Sequence, residues 1–190
     1  MLSLMAMRII SGKHKNRRIE APEGKDVRPT TARTREAVFN ILNHGEYGER
    51  NVLQGRVADI FCGSGAMGLE ALSRGASHVT FVDKNRISIE AAEFNIRAFH
   101  EEENTRLLRC DSSQLPPVNE PYDLLFLDPP YHTNLGYKSL RTALAGGWIK
   151  EHTAVVLEQG VKDPIKLPEG LIVLDERKYS NSKMIFSAKA

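Results

Sequence analysis

The sequence predicts an α/β fold built on a mostly parallel sheet. Three observations predict it. Between residues 57 and 158, short apolar runs alternate with stretches of helical spacing, the pattern of repeated βα units with right-handed crossovers. The first apolar run leads into a glycine-rich turn, Gly63-Ser64-Gly65-Ala66-Met67-Gly68. The last two runs flank Ser180-Asn181-Ser182, a hairpin signal that adds antiparallel pairing at the end of the chain.

Each element follows from local chemistry. Residues 8–11 and 17–21 flank Gly12-Lys13-His14-Lys15-Asn16 and read as a short hairpin with Gly and Asn in the turn. Residues 22–29 read as loop. Thr30 or Thr31 caps a helix running to about Asn43, with Ala37, Val38, Ile41 and Leu42 at helical spacing. Residues 45–55 read as a connector. A strand is expected at 57–61, then a helix at 68–74 closed by Gly75. Next come a strand at 78–83 and a helix at 85–100 that turns Ile89, Ala92, Phe94 and Ile96 toward its apolar side. Glu101-Glu102-Glu103 reads as a solvated helix end. Strands follow at 106–110 and 122–128, a helix at 135–145 and a strand at 154–158. The final pair of strands is expected at 171–179 and 183–187. No internal repeat or low-complexity segment interrupts the pattern.

The bulk properties exclude several classes. A chain of 190 residues is most simply one domain with a sizeable core. No apolar run reaches the length of a membrane span. Met1 to Ala6 is too short for a signal peptide, and Met7 is an alternative start. Two distant cysteines, Cys62 and Cys110, make neither a disulfide framework nor a zinc site, and a reducing cytoplasm fits. The histidines lack ligand spacing, so no metal is expected. Net charge is only +2 but unevenly placed. Residues 8–35 carry nine Lys/Arg against three acids, which leaves the rest of the chain acidic. A basic arm of this kind suits a polyanion docking at one end, or is simply a solvated terminus. Lys13, Lys15, Arg17 and Arg18 are the candidates for phosphate contact. Arg28, Arg33 and Arg35 either join them or line a ligand site in the body of the chain. The expected division is a basic extension over 1–50 and a main domain over 51–190.

Two stretches carry the chemistry. Gly63, Gly65 and Gly68 satisfy GxGxxG, and Asp83 ends the next strand twenty residues after the first glycine. A nicotinamide or flavin enzyme is one reading. Asp59, upstream in the strand, opposes it, because a carboxylate beside the turn disfavours a pyrophosphate. It suits the cationic amino-acid end of S-adenosylmethionine instead. The cofactor set on this reading is Asp59, Phe61, Gly63, Ser64 and Gly65 in the loop. Asp83 and Lys84 serve the ribose side. Asp111 and Ser112 stand near the adenine, unless Asp111 merely caps the following turn.

The second stretch is Asp128-Pro129-Pro130-Tyr131, at the C-terminal end of the apolar run 122–127. That edge of an open α/β sheet is where ligands bind. The prolines make a rigid corner. Asp128, also adjacent to the cofactor, and the Pro129 carbonyl offer acceptors, and Tyr131 offers a stacking face. An amine on a planar ring is the matching substrate. The bland reading, a proline-rich turn, is weakened by the glycine loop and the ordered strand-end acids before it.

Together these strings resemble class I S-adenosylmethionine-dependent amino-methyltransferases. Arg28-Pro29-Thr30-Thr31 with Arg33, Arg35-Glu36 and Phe39-Asn40, and the run from Gly63 to Ala76, are similar to the RsmD family. The resemblance spans nearly the whole chain from Arg8. It implies a Rossmann-like seven-stranded sheet and methylation of guanine N2 in 16S rRNA, at guanine 966. It also implies a substrate presented within the small ribosomal subunit or an assembly intermediate, and a monomeric enzyme. Catalytic roles then fall on Asp128, Pro129, Pro130 and Tyr131. Cys62 stands where the family has Ala, and Tyr179-Ser180-Asn181-Ser182 replaces a Tyr-Gly turn. A DNA adenine-N6 methyltransferase shares the corner, but only about fifty residues precede the fold, little room for target recognition. A non-catalytic RNA-binding module has no use for the cofactor loop.

Overall fold

The structure, a computed structural model, describes residues 7–21 and 31–190. The loop expected at 22–29, Thr30, Arg28 and Met1 to Ala6 lie outside those residues. The extension begins with β1 (Met7–Arg8) and β2 (Arg18–Ile19), paired antiparallel with Met7 opposite Ile19. Helix α1 (Ala32–Leu42) starts at Thr31, whose hydroxyl accepts the Thr34 N–H at 3.1 Å. The body runs β3 (Arg56–Ile60), α3 (Ala66–Arg74), β4 (His78–Asp83), α4 (Arg86–Phe99), β5 (Thr105–Arg109), β6 (Tyr122–Leu127), α5 (Leu135–Ala145) and β7 (Ile149–Gly160). It ends with β8 (Leu171–Tyr179) and β9 (Ser182–Lys189).

Seven strands form one sheet in the order β5-β4-β3-β6-β7-β9-β8. The five from β5 to β7 are parallel, and β9 enters antiparallel between β7 and β8. The chain winds outward from β3 to β5, then returns to place β6 on the other side of β3. This reversal opens a crevice beyond the C-terminal ends of β3 and β6. Strands covered on both faces must be largely apolar, and β3, β4 and β6 are, apart from residues near their ends and the buried Asp59 and Thr80. Val57, Phe81, Leu124 and Phe126 belong to the core on one face, with α1, α3 and α4. Ile60, Val82, Leu125 and Trp148 belong to the core on the other, with α5. Trp148 is fully buried, stacks on Tyr122 at 4.9 Å and donates its indole N–H to the Pro116 carbonyl at 2.7 Å.

Four expectations need correction. The connector at 45–55 contains a short helix, α2 (Gly45–Glu49), pinned by Tyr47, whose ring lies 6.2 Å from Phe186. Five residues are too few to show periodicity. Phe94 is 59% exposed. Ala92, Ile96 and Phe99 define the buried stripe of α4, and a residue two positions from Ala92 is turned some 200° away from it. Glu101 is buried, at 2% exposure, because the N-terminal hairpin covers it. His14 Nε2 and Lys13 Nζ lie 2.5 and 2.6 Å from its Oε1. The seventh strand starts five residues early, at Ile149, where the polar run Lys150-Glu151-His152 masks it. A pairing irregularity between Tyr122 and Leu124 accommodates that run.

The extension docks on α3 with little clearance. A Cβ on Gly12 would sit 1.8 Å from the Ser73 carbonyl oxygen, which instead accepts the Lys13 N–H at 2.8 Å. The buried Glu70 carboxylate accepts the Ile10 and Ser11 N–H groups at 2.8 and 3.1 Å. Ile9 and Ile19 thereby join the main core.

Candidate active site

The side of the crevice expected to hold the cofactor is made mainly of backbone. Beyond β3 the chain turns sharply at Phe61, whose φ of 65° is a costly conformation for an aromatic residue. The Phe61 and Cys62 N–H groups both donate to the Val82 carbonyl, at 2.9 and 3.0 Å. Glycine then serves different needs at different positions. Gly63 has φ 53°, and a Cβ there would meet no atom within 4 Å, so its face is open. Gly65 has φ 83°, and a Cβ there would lie 3.1 Å from the Phe81 ring. On Gly68 that distance would be 2.3 Å, so this glycine lets α3 press against β4.

Asp59 is buried, and its Oδ2 accepts the Gly68 N–H at 2.9 Å. A protein carboxylate therefore already satisfies a donor at the N-terminus of α3. Burial pushes its pKa up to about 7, against the Gly68 hydrogen bond and with help from Asp83. A pyrophosphate here would face that carboxylate. A cation would relieve it. The donor set thus fits a cationic cofactor and does not fit a dinucleotide.

Asp83 closes the loop from the next strand. Its Oδ2 accepts the Gly63 N–H at 3.1 Å and its Oδ1 the Asn85 N–H at 2.8 Å. Phe61, Asp83, Lys84, Asp111, Ser112 and Leu135 line a slot with Val82 and Cys110. The slot is narrow, about 10 Å³, room for roughly one water. Asp111 is exposed, and its Oδ1 accepts from the Ser113 N–H and hydroxyl at 2.8 and 2.7 Å. It therefore caps the turn, and these bonds hold its carboxyl below the usual range. Ser112 is buried, its hydroxyl bonded to that of Ser139 at 2.8 Å. Ser64 is buried too, and its carbonyl accepts from Asn95 at 3.0 Å.

Side chains dominate the other side. Asp128 follows β6, and its N–H donates to the Ile60 carbonyl at 3.2 Å. The residue is exposed, yet its carboxyl is raised well above the ordinary range by surrounding protein atoms, then by the Glu158 and Asp59 carboxylates. Tyr131 donates its hydroxyl to Glu158 Oε1 at 2.6 Å. Limited hydration and that carboxylate raise the phenol's pKa. The Pro130 carbonyl accepts from the Thr133 hydroxyl at 2.7 Å, and His132 donates its N–H to Asp163 at 3.0 Å. Pro129, Pro130, Tyr131, Tyr137, Glu158 and Lys166 are among the walls of a cavity of about 260 Å³.

Two residues of this region escaped the sequence reading. Glu158, on β7, is a lone carboxylate in an apolar run, and that isolation was its signal. Asn95 is a polar residue on the buried stripe of α4. Its amide also bonds both the N–H and the carbonyl of Glu20, at 2.9 and 2.8 Å, joining the arm to the glycine loop.

The basic arm divides. Arg35 is fully buried, donates to the Arg8 carbonyl and lies 3.9 Å from Glu70. This corrects its candidacy for phosphate or cofactor contact: it is inside the joint between arm and body. Burial lowers its pKa, and Glu70 opposes that. Arg17 packs 4.5 Å over the Phe99 ring and donates to the Ala98 carbonyl. Lys13 is half-exposed but paired with Glu101. Lys15, Arg18 and Arg33 are exposed, Arg18 lying 3.0 Å from Glu20. Among the described residues there is no cluster of three or more metal-ligating side chains, and no helix is long and apolar enough to cross a membrane.

The comparisons agree with this fold. The family model described as Conserved hypothetical protein 95 matches residues 7–188. The Ribosomal RNA small subunit methyltransferase D of Buchnera aphidicola (subspecies Acyrthosiphon pisum) is 31% identical over 175 residues, covering 91% of this chain and 87% of its own. Its Haemophilus influenzae namesake is 30% identical, covering 90% and 88%. The solved structure of the Escherichia coli protein yhhF superposes with a TM-score of 0.81 at 27% identity, over 97% of this chain and 98% of that one. Magnesium protoporphyrin IX methyltransferase from Synechocystis, solved with bound SAM, shares the fold at a TM-score of 0.62. With its glycine loop, its strand-end acids and a match over almost its full length, the chain belongs to the Conserved hypothetical protein 95 family, the RsmD group of S-adenosylmethionine-dependent methyltransferases.

Proposed function

We propose that the chain methylates the exocyclic N2 amine of one guanine in 16S rRNA, guanine 966 by family resemblance, with S-adenosylmethionine as donor. The observation that carries this reading is the position of Asp128. It stands at the switch point, between the glycine loop and a cavity walled by Tyr131. The relatives from Buchnera aphidicola and Haemophilus influenzae, ribosomal RNA small subunit methyltransferases, support the substrate class.

The cofactor supplies an electrophilic methyl group on a positively charged sulfonium. Asp59 and the open face of Gly63 are the groups suited to its amino-acid end. Asp83 accepts from ribose hydroxyls. Phe61 and Leu135, which line the narrow slot, would hold the adenine, and Asp111 would offer an acceptor at its rim. On the other side, Asp128 and the Pro129 carbonyl accept the two N–H bonds of the substrate amine. Those bonds aim the nitrogen lone pair and stabilise the positive charge that develops on nitrogen. A carboxyl with a raised pKa is also suited to take the proton that nitrogen sheds. Tyr131 stacks on the base once it leaves its helix. The prolines hold these acceptors still.

Residues 1–50 form the RNA-facing extension on this reading, and 51–190 the catalytic domain. Lys15, Arg18 and Arg33 are the exposed cations suited to phosphate, with Lys13, Arg17 and Arg28 as secondary candidates. The enzyme acts as a monomer in the cytoplasm, on RNA within the small subunit or its precursor. The test is methyl transfer from labelled cofactor to small subunits lacking the modification, to free 16S rRNA and to DNA, with the product nucleoside identified by mass spectrometry. N2-methylguanosine from the RNA supports the reading. N6-methyladenine from DNA overturns it.

A further inference from the structure

The cavity beyond the proline corner has two unlike ends. Its inner wall carries Glu158, 7% exposed and bonded to the Tyr131 hydroxyl. Its exposed mouth carries donors: Lys166, from the loop between β7 and β8, and Tyr137, from the first turn of α5. Among the described residues, neither the Lys166 ammonium nor the Tyr137 hydroxyl has a hydrogen-bond or ion-pair partner. Asp163, three residues before Lys166, is committed elsewhere. Its Oδ2 accepts the His132 and Gly160 N–H groups at 3.0 and 3.2 Å, and its Oδ1 lies 2.6 Å from His132 Nδ1. These bonds clamp the loop that carries Lys166 to the residue after Tyr131. They also hold His132 at φ 59°, a conformation few side chains adopt. Such a backbone persists only where its surroundings over-determine it. A fixed loop thus presents an unpaired cation at the mouth of a site shaped for a base.

A base turned out of its stack brings its sugar and phosphates with it. With the amine held at Asp128, those groups lie toward the mouth. Phosphate oxygens accept hydrogen bonds and carry a full negative charge, so an ammonium and a phenol hydroxyl match them. We propose that Lys166 and Tyr137 form a phosphate subsite for the target nucleotide, with Asp163 as the positioning residue that holds the Lys166 loop. This rests on the RNA reading above and adds the contact that seats the flipped nucleotide. Such a contact fixes orientation and carries no base preference.

The target nucleotide is first identified by mass spectrometry on natural small-subunit RNA. The phosphodiester on its 5′ or its 3′ side is then replaced by an uncharged methylphosphonate. At one of the two positions the wild-type enzyme is expected to lose about 10-fold in kcat/KM, the worth of one hydrogen bond to a charged group. Lys166→Ala should lose a similar factor on natural RNA and then be indifferent to the replacement within about twofold, since the same contact is already gone. Tyr137→Phe should follow that pattern at about threefold. Asp163→Ala keeps the lysine but frees its loop, and should shrink the sensitivity; a purely structural role would leave that ratio unchanged. Lys15→Ala, on the arm, should weaken RNA binding yet keep the full sensitivity. A wild type indifferent to both replacements overturns the proposal, even if the variants fail to fold. So does full sensitivity in folded Lys166→Ala, or an equal loss of sensitivity in Lys15→Ala. Full sensitivity in Tyr137→Phe or Asp163→Ala overturns that residue's part. A methylated base other than guanine removes the guanine reading alone and leaves the linkage ratio to decide. No methylation of RNA overturns both.

Discussion

The two sides of the crevice solve the problem of holding a ligand in opposite ways. On the proposed cofactor side the work falls to backbone: loop N–H groups donating to acceptors of β4, positive φ at Phe61, Gly63 and Gly65, and a single buried carboxylate, Asp59, tied to Gly68. On the proposed substrate side it falls to side chains, with Tyr131 and Glu158 lining a roomier cavity and Asp128 directly preceding its Pro129 wall. A backbone cradle fixes one cofactor and tolerates little change. Side chains on a rigid corner can be exchanged to suit a different base. The difference teaches that, on the proposed reading, substrate choice falls to side chains on β6 and β7 rather than to the glycine loop.

The largest expected effect tests the buried charge on the cofactor side. Asp59 has a folded-state pKa of about 7 against an ordinary 3.8. Its folded form holds a proton that the unfolded chain has already lost in that interval. The stability this contributes is complete below the unfolded value and is lost as pH rises toward about 7. Asp59→Asn keeps the acceptor for the Gly68 N–H and never ionises. Near about pH 8 the variant should be more stable than wild type by up to about 4 kcal/mol, and the gap should close near about pH 4. Urea midpoints across that range measure it, and parallel curves would contradict the buried-charge account. Cofactor affinity should fall in the same variant, separating stability from function.

The glycines come next. Gly68→Ala drives a methyl group into the Phe81 ring and should cost about 1–3 kcal/mol of stability. Gly63→Ala meets no protein atom, and its cost to stability is the positive φ alone, about 1–2 kcal/mol. That methyl points into open space, where the ligand belongs. Cofactor affinity should therefore fall about 10–100-fold in Gly63→Ala and change little in folded Gly68→Ala. Calorimetry and thermal unfolding on both variants decide it, and an equal loss of affinity would erase the distinction. The smallest effects concern the arm. Lys15→Ala, Arg18→Ala and Arg33→Ala should each weaken RNA binding a few-fold and reduce the slope of log affinity against log salt by about 1. Arg35→Met should lower stability and leave the slope unchanged. A changed slope there would mean that Arg35 reaches RNA after all.

What the sequence revealed depended on whether its signal was local. β4, α5 and β8 were legible to the residue, because apolar runs and helical spacing are local patterns. So were the glycine turn and the proline corner, where unusual residues mark unusual backbone. The burial of Glu101 and Arg35 was not legible, since both are covered by a hairpin distant in sequence. The early start of β7 was hidden because polar residues pair there across an irregular register. Glu158 became visible as a site residue only when β7 lay beside β6. Three glycines of one motif proved to have separate tasks, which spacing alone does not distinguish.

The most direct measurement pairs two readings on Asp128→Ala: cofactor affinity by calorimetry and single-turnover methyl transfer to small-subunit RNA. Removing the acceptor should leave the dissociation constant within about threefold of wild type while the rate falls about 100–1,000-fold. A variant that transfers methyl at the full rate would contradict the account, and so would one whose lost activity is explained entirely by lost cofactor binding.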